Sequence, residues 1–305
     1  MISLRYHAVS IAAVFLALAI GIVLGASGVS ERLLGAVTTK ADDLGGQVQQ
    51  LTAERDALAA SQRASDEFAQ RIGPAAVKGA LQGQTVTLVT SGANPADRAA
   101  VVALLGDAGA TVTGEVALTD AVGDPSRADQ LRQLTAQLLP AGAQLPAASD
   151  TGSLAGGLLG GVLFAKAGAT PAQEQSVLSG LASTGFVAPG APPAPANLAL
   201  VLTGGALTGI DAADSAAVIA RLAAQLDRAG GGAVLAGRAG SSEATGSVGV
   251  ARADPTITAA MSTVDDVQTG AGQVSAVLAL REQVEGRAGS YGTAVTAADG
   301  SAPKA

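Results

Sequence analysis

The apolar pattern of this chain starts almost at once. From Ala8 to Ser30 no side chain is charged, a run that crosses a hydrocarbon core of about 30 Å as a helix rising about 1.5 Å per residue. It predicts a transmembrane helix over residues 8–30. The run outlasts the apolar core of an ordinary signal peptide and continues into helix-compatible sequence, while the small residues Gly25, Ala26 and Ser27 leave cleavage as a second reading. Arg5 precedes the span, so the positive-inside rule puts residues 1–7 in the cytoplasm and everything after Glu31 outside. That is a single-pass topology in the cell membrane, with the outer membrane as the alternative. Gly21 and Gly25 form a small-xxx-small pair that suits helix pairing within the span.

Beyond the span the apolar period changes to seven. Val37, Leu44, Leu51 and Leu58 recur every heptad, and Leu34, Ala41 and Val48 stand three residues before the first three of them. This is the seam of a coiled coil, and it weakens at Arg55 and Gln62. Charged residues cover the other faces, and the first stop signal is Gly73-Pro74. Residues 8–72 therefore read as one helix, a membrane span continuous with a stalk over 31–72, with roughly 60 Å clear of the membrane. A bare apolar stripe needs a cover. A second copy of the chain in a parallel dimer is the simplest one, and the chain's own C-terminal domain is the other.

After the stalk the periodicity alternates between strand and helix. Thr85–Ser91 (TVTLVTS) reads as a strand, the residues after Pro95 as a helix, and Thr111–Leu118 (TVTGEVAL) as a second strand. That is a βαβ unit and implies a parallel pair. Helices are predicted over 126–139, over the Gly-rich 151–167 as a buried element with small residues for close approach, and over 171–184 behind Pro171. Pro189–Pro195 is a polyproline-type loop. A second α/β stretch follows: strands at Leu198–Thr203 and Ala233–Gly237 flank a helix capped by Asp211. Further strands are expected at Ser247–Arg252 and Gln273–Leu280, with a disordered tail over 294–305. The fold class is thus α/β: an N-terminal span and coiled-coil stalk, then an extracytoplasmic, mostly parallel, Rossmann-like domain over 75–290. Two halves, 75–188 and 197–290, are possible.

Composition narrows the chemistry. The 305 residues are 48% hydrophobic but only 2% aromatic, so the core must be built from Ala, Val and Leu. A net charge of −7 with scattered Lys and Arg excludes a nucleic-acid partner. There is no Cys, and His7 at the mouth of the span is the one histidine. Ser-His-Asp and Cys-His catalysis and His/Cys zinc sites are therefore out of reach for the domain. With methionine only at Met1 and Met261, a soft Cu(I) site within one chain is excluded too. The loop Gly204–Gly209 (GGALTG) sits after a strand and before a helix, where α/β sheets bind ligands, but lacks dinucleotide-binding spacing. Asp265 and Asp266 are the candidate metal ligands. Alternation along a strand would aim them at opposite faces, and turn or cap chemistry before Gly270 is the competing reading. No catalytic or cofactor motif appears, so the expectation is a non-enzyme.

Several stretches together carry a resemblance: MISLRYHAVSIAAVFLALAIGIVLG, TVTLVTS, LVLTGGAL and STVDDVQTGAGQVSAVLAL with GSYGT. They resemble the MctB-like copper transport family of actinobacteria, end to end. The resemblance implies copper homeostasis, through a channel carrying copper out across the mycobacterial outer membrane, with copper as the transported ion. Some relatives are tied instead to cell separation, as envelope partners controlling septal cell-wall hydrolases. The residues themselves do not read as an outer-membrane barrel, which needs alternating strands and aromatic girdles. They read as a tethered stalk carrying an α/β binding module. Two functions follow as expectations, copper efflux and a non-enzymatic scaffold that docks a second envelope protein.

Overall fold

The computed structural model describes residues 4–26, 29–140 and 142–304 and divides into two compact units, Met1–Arg63 and Ala64–Ala305. In the first unit, helix α1 (Leu4–Ala26) is long and apolar enough to cross a membrane, and its side chains from Arg5 to Gly25 are exposed. Helix α2 (Val29–Val77) runs for 49 residues. On it Ala41, Leu44, Val48, Leu51 and Leu58 are all exposed, while the side chains of Leu34 and Val37 lie outside the described residues. The expected stop at Gly73-Pro74 is passed by one turn. Pro74 forfeits one backbone hydrogen bond, but Val77 and Leu81 are fully buried beyond it and hold the chain down.

The second unit contains β1 (Thr85–Ser91), α3 (Pro95–Asp107), β2 (Thr111–Leu118), α4 (Ala128–Gln137), α5 (Thr151–Leu163), α6 (Pro171–Ser183) and β3 (Leu198–Thr203). It continues with α7 (Ala212–Ala229), β4 (Ala233–Ala236), α8 (Ser247–Ala253), α9 (Pro255–Thr258), β5 (Ser262–Val264), α10 (Gly270–Val284) and β6 (Ser290–Tyr291). Among the described residues all six strands are parallel, in one open sheet of order β2-β1-β3-β4-β5-β6. The two stretches expected as possible halves thus share one sheet, joined where β1 pairs with β3 from Val86↔Leu198 to Ser91↔Thr203.

Strand alternation divides the core in two. Val86 and Leu88 of β1, Leu198, Leu200 and Leu202 of β3 and Val234 of β4 face α3 and α10. Val89, Ala199, Val201 and Leu235 face the other way, onto α5 and α7. Helices therefore cover both faces, as an all-parallel sheet requires. The β2 edge is covered as well. Ala188, just before the polyproline loop, and Ala194, within it, donate backbone N–H groups to Ala117 and Thr113, and Pro193 closes on Gly114, where a Cβ would sit 2.8 Å from it.

Four expectations are corrected here. Ser247–Ala253 is helix and not strand: Val248 and Ala251, one helical turn apart, are both fully buried. Gly270–Val284 is helix too. It is buried nearly all round, which gives a continuous apolar run that mimics a core strand. The tail is tied down as far as Ser301: Asp299 exchanges hydrogen bonds with Ser290, and the carbonyl of Ser301 accepts from Ser275. Asp211 stands before α7 without a capping hydrogen bond from its side chain.

Candidate functional site

Strand β1 lies between β2 and β3, so the chain leaves it in opposite directions on its two sides. In open α/β sheets ligands bind outside the carboxyl ends of the strands at such a reversal. A cleft of about 390 Å³ opens there, with Ser91, Thr119, Asp120, Thr208, Asp211 and Ser215 among its lining. Two of its hydroxyls are already committed: Thr119 donates to the carbonyl of Gly185 at 2.6 Å and Ser215 to that of Gly123 at 2.7 Å. The Gly204–Gly209 loop splits its work. Gly204 and Gly205 pack where a Cβ would press on the carbonyls of Gly92 and Ala239, and the remainder of the loop walls the cleft and carries Ile210 into solvent. The cleft offers carboxylates and hydroxyls. It contains no nucleophile paired with a base.

Beside it, Arg238 after β4 approaches Asp97 in the first turn of α3 to 2.9 Å, as an ion pair without a well-directed hydrogen bond. Burial raises the Asp97 pKa, and Arg238 opposes that shift. Arg98 also binds Glu115 of β2 at 2.6 Å, and Thr90 donates to the same carboxylate. These pairs tie α3 to the loop after β4 and to strands β1 and β2.

The carboxylates singled out from sequence, Asp265 and Asp266, lie just past β5 and are each 2% exposed. They part company, as alternation predicts. Asp265 receives Arg252 of α8 at 2.5 Å and the backbone N–H of Thr293 at 2.8 Å. Arg252 also donates to Thr263, Thr296 and the carbonyl of Tyr291, fastening α8, β5 and β6 into one network. Asp266 points to the start of α10, where Thr269 donates to one of its oxygens and the other has no partner. Burial, and then the neighbouring Asp265 charge, push the Asp266 pKa up to about 6. With one carboxylate saturated and the other turned away, the pair does not converge on a common point.

Among the described residues no group of three or more His, Cys, Asp or Glu could hold a metal ion. Met261 is 1% exposed within the core, and His7 is exposed on α1. Sequence reasoning missed Arg252, whose predicted strand hid its role, and the Tyr291–Glu282 hydrogen bond at 2.5 Å. The adjacent carboxylates were a usable signal, because two buried acids after a strand call for a buried cation. Nothing local said which arginine would supply it.

Comparison with known proteins extends over the whole chain. Residues 1–301 match the family described as "Copper transport outer membrane protein, MctB". Proteins named "Copper transporter MctB" from Mycobacterium bovis and Mycobacterium tuberculosis are 42% identical over 303 residues, covering 96% of this chain and 96% of theirs. One of the same name from Mycobacterium leprae is 39% identical over 310 residues, again covering 96% of each. The end-to-end match takes in both the apolar N-terminal helix and the α/β unit, and this chain belongs to the MctB copper transport family.

Proposed function

We propose that this protein acts in copper homeostasis at the cell envelope, lowering cellular copper, as a single-pass protein held by α1 with its α/β unit outside the cytoplasm. The observation that carries this reading is the family match along residues 1–301, supported by relatives named copper transporters. Arg5 ahead of the uncharged run supports the orientation, and α1 supports anchoring in the cell membrane. The family description names the outer membrane, the alternative location. The parallel sheet with helices on both faces does not supply the closed antiparallel barrel on which that location ordinarily depends.

Copper is written here as cargo. The donor set favours a role without a resident copper cofactor, since soft ligands are confined to Met1 and Met261, and imidazole to His7. The test is deletion. Loss of the gene should raise cell-associated copper and lower the copper concentration that stops growth, and the full-length chain should restore both. Unchanged copper content and tolerance would overturn the reading.

A second reading is favoured by the exposed leucines of α2: a non-enzymatic scaffold whose stalk forms a coiled coil and whose domain docks another envelope protein, as in control of septal wall hydrolysis. A deletion strain that separates its daughter cells poorly while handling copper normally would select it.

A further inference from the structure

The ridge on α2 carries a charge arrangement that specifies its cover. In heptad terms Ala41, Val48 and Arg55 occupy the a positions and Leu44, Leu51 and Leu58 the d positions. Leu44, Val48, Leu51 and Leu58 are 60, 62, 64 and 72% exposed. Gly45 and Gly46 interrupt the same stretch in open space, and each weakens a solitary helix. A helix this bare and this Gly-rich needs a neighbour in water.

We infer that α2 pairs in parallel and in register with α2 of a second copy of this chain, and that Arg55 of each copy binds Glu54 of the other. In a parallel pair each a residue lies beside the preceding g residue of its partner. Glu54 is that g residue, so the two arginines meeting at the seam each receive a carboxylate from across it. In the single chain both groups make only exposed contacts close in sequence. Arg55 reaches Asp56 at 2.7 Å and Gln50 reaches Glu54 at 2.9 Å, so little is broken on pairing. The remaining facing g and e positions, Lys40 with Gly45 and Gln47 with Thr52, set no like charges against each other. An antiparallel pair centred on the ridge would press Arg55 onto the apolar Leu44 region. Leucine at d, β-branched Val48 at a and one charged a residue favour two strands over three. The inference uses the anchored reading only for chain direction, since copies held by α1 in one membrane enter the pairing the same way round. Copper does not enter it.

The chain has no cysteine, so single introduced ones report cleanly. In cell membranes, full-length Leu51→Cys should form a disulfide-linked dimer, and Ala53→Cys, on the far face, should not. Purified in detergent, the full-length protein should have the mass of a dimer. Glu54→Arg and Arg55→Glu should each weaken the dimer about tenfold, and the double exchange should return it to within about threefold of the original. Equal crosslinking at 51 and 53, a monomer or a trimer would overturn the dimer. A double exchange no better than either single variant would overturn the Arg55–Glu54 pairing. None of these outcomes alters the copper phenotype expected on deletion, so the two readings fail separately.

Discussion

Arg252 and Asp265 have side chains only 3% and 2% exposed, so their attraction must be weighed against the cost of removing two charges from water. Removing one partner strands the other. Arg252→Met should cost about 3–5 kcal/mol in chemical denaturation, with Asp265→Asn in the same background recovering part of it. Asp266 lacks such a cation of its own. Its pKa, raised to about 6, lies above its ordinary 3.8, as does that of Asp227, which burial also lifts to about 6. The folded protein therefore takes up these protons before the unfolded chain does. Both carboxylates cost stability when charged above pH 6, and that cost is relieved as the pH falls from 6 toward 4. The melting temperature should rise between pH 8 and pH 5. Asp266→Asn should raise it at pH 8 and flatten the profile, and a steeper profile would show that the Asp266 charge stabilises the fold.

At the scale of elements, α5 shows what its glycines are for. A Cβ on Gly152 or Gly156 would sit 2.3 Å or 2.6 Å from the carbonyl oxygens of Val218 and Leu222 on α7, so backbone meets backbone. Gly161, on the same helix, has open space around it. Gly156→Val should destabilise by several kcal/mol, as overpacking against backbone does, and Gly161→Ala should stabilise by up to about 1 kcal/mol. Equal effects in thermal melts would deny the close approach. The spacing of small residues made this element legible from sequence, alternation did the same for β1 and β2, and a short continuous apolar run did so for β3. β5 and β6, three and two residues long, are too short for alternation to declare itself. Helix α10 escaped because its polar positions, Gln273, Ser275 and Gln283, are themselves buried and leave no exposed face to mark a helical period. For the candidate site, sequence indicated the loop after β3 but not the cleft, which takes residues from β1, the β2 loop and α7, far apart along the chain. The Arg252 network is hidden for the same reason, since it joins positions 252, 265 and 296.

At the scale of the whole molecule, the copper question reduces to where soft donors can be. Met261 is the one thioether among the described residues, and it sits in the core with Val248, Ala251 and Ile257 as fellow members, 1% exposed. Copper ligation there would need the core to open. A thioether that only fills space is replaceable by leucine, a near volume-conserving exchange costing less than about 1.5 kcal/mol. Met261→Leu should therefore leave the copper tolerance of cells and their copper content, read by mass spectrometry, at the values given by the unaltered chain. His7→Ala is the complementary probe, because an exposed imidazole at the N-terminal end of α1 can meet an ion without any rearrangement of the fold. A fall in tolerance with Met261→Leu, in a protein that still melts normally, would make that methionine a ligand and would require an open form of the α/β unit during transport. A fall with His7→Ala alone would place the contact with copper on α1 and leave the α/β unit a supporting role.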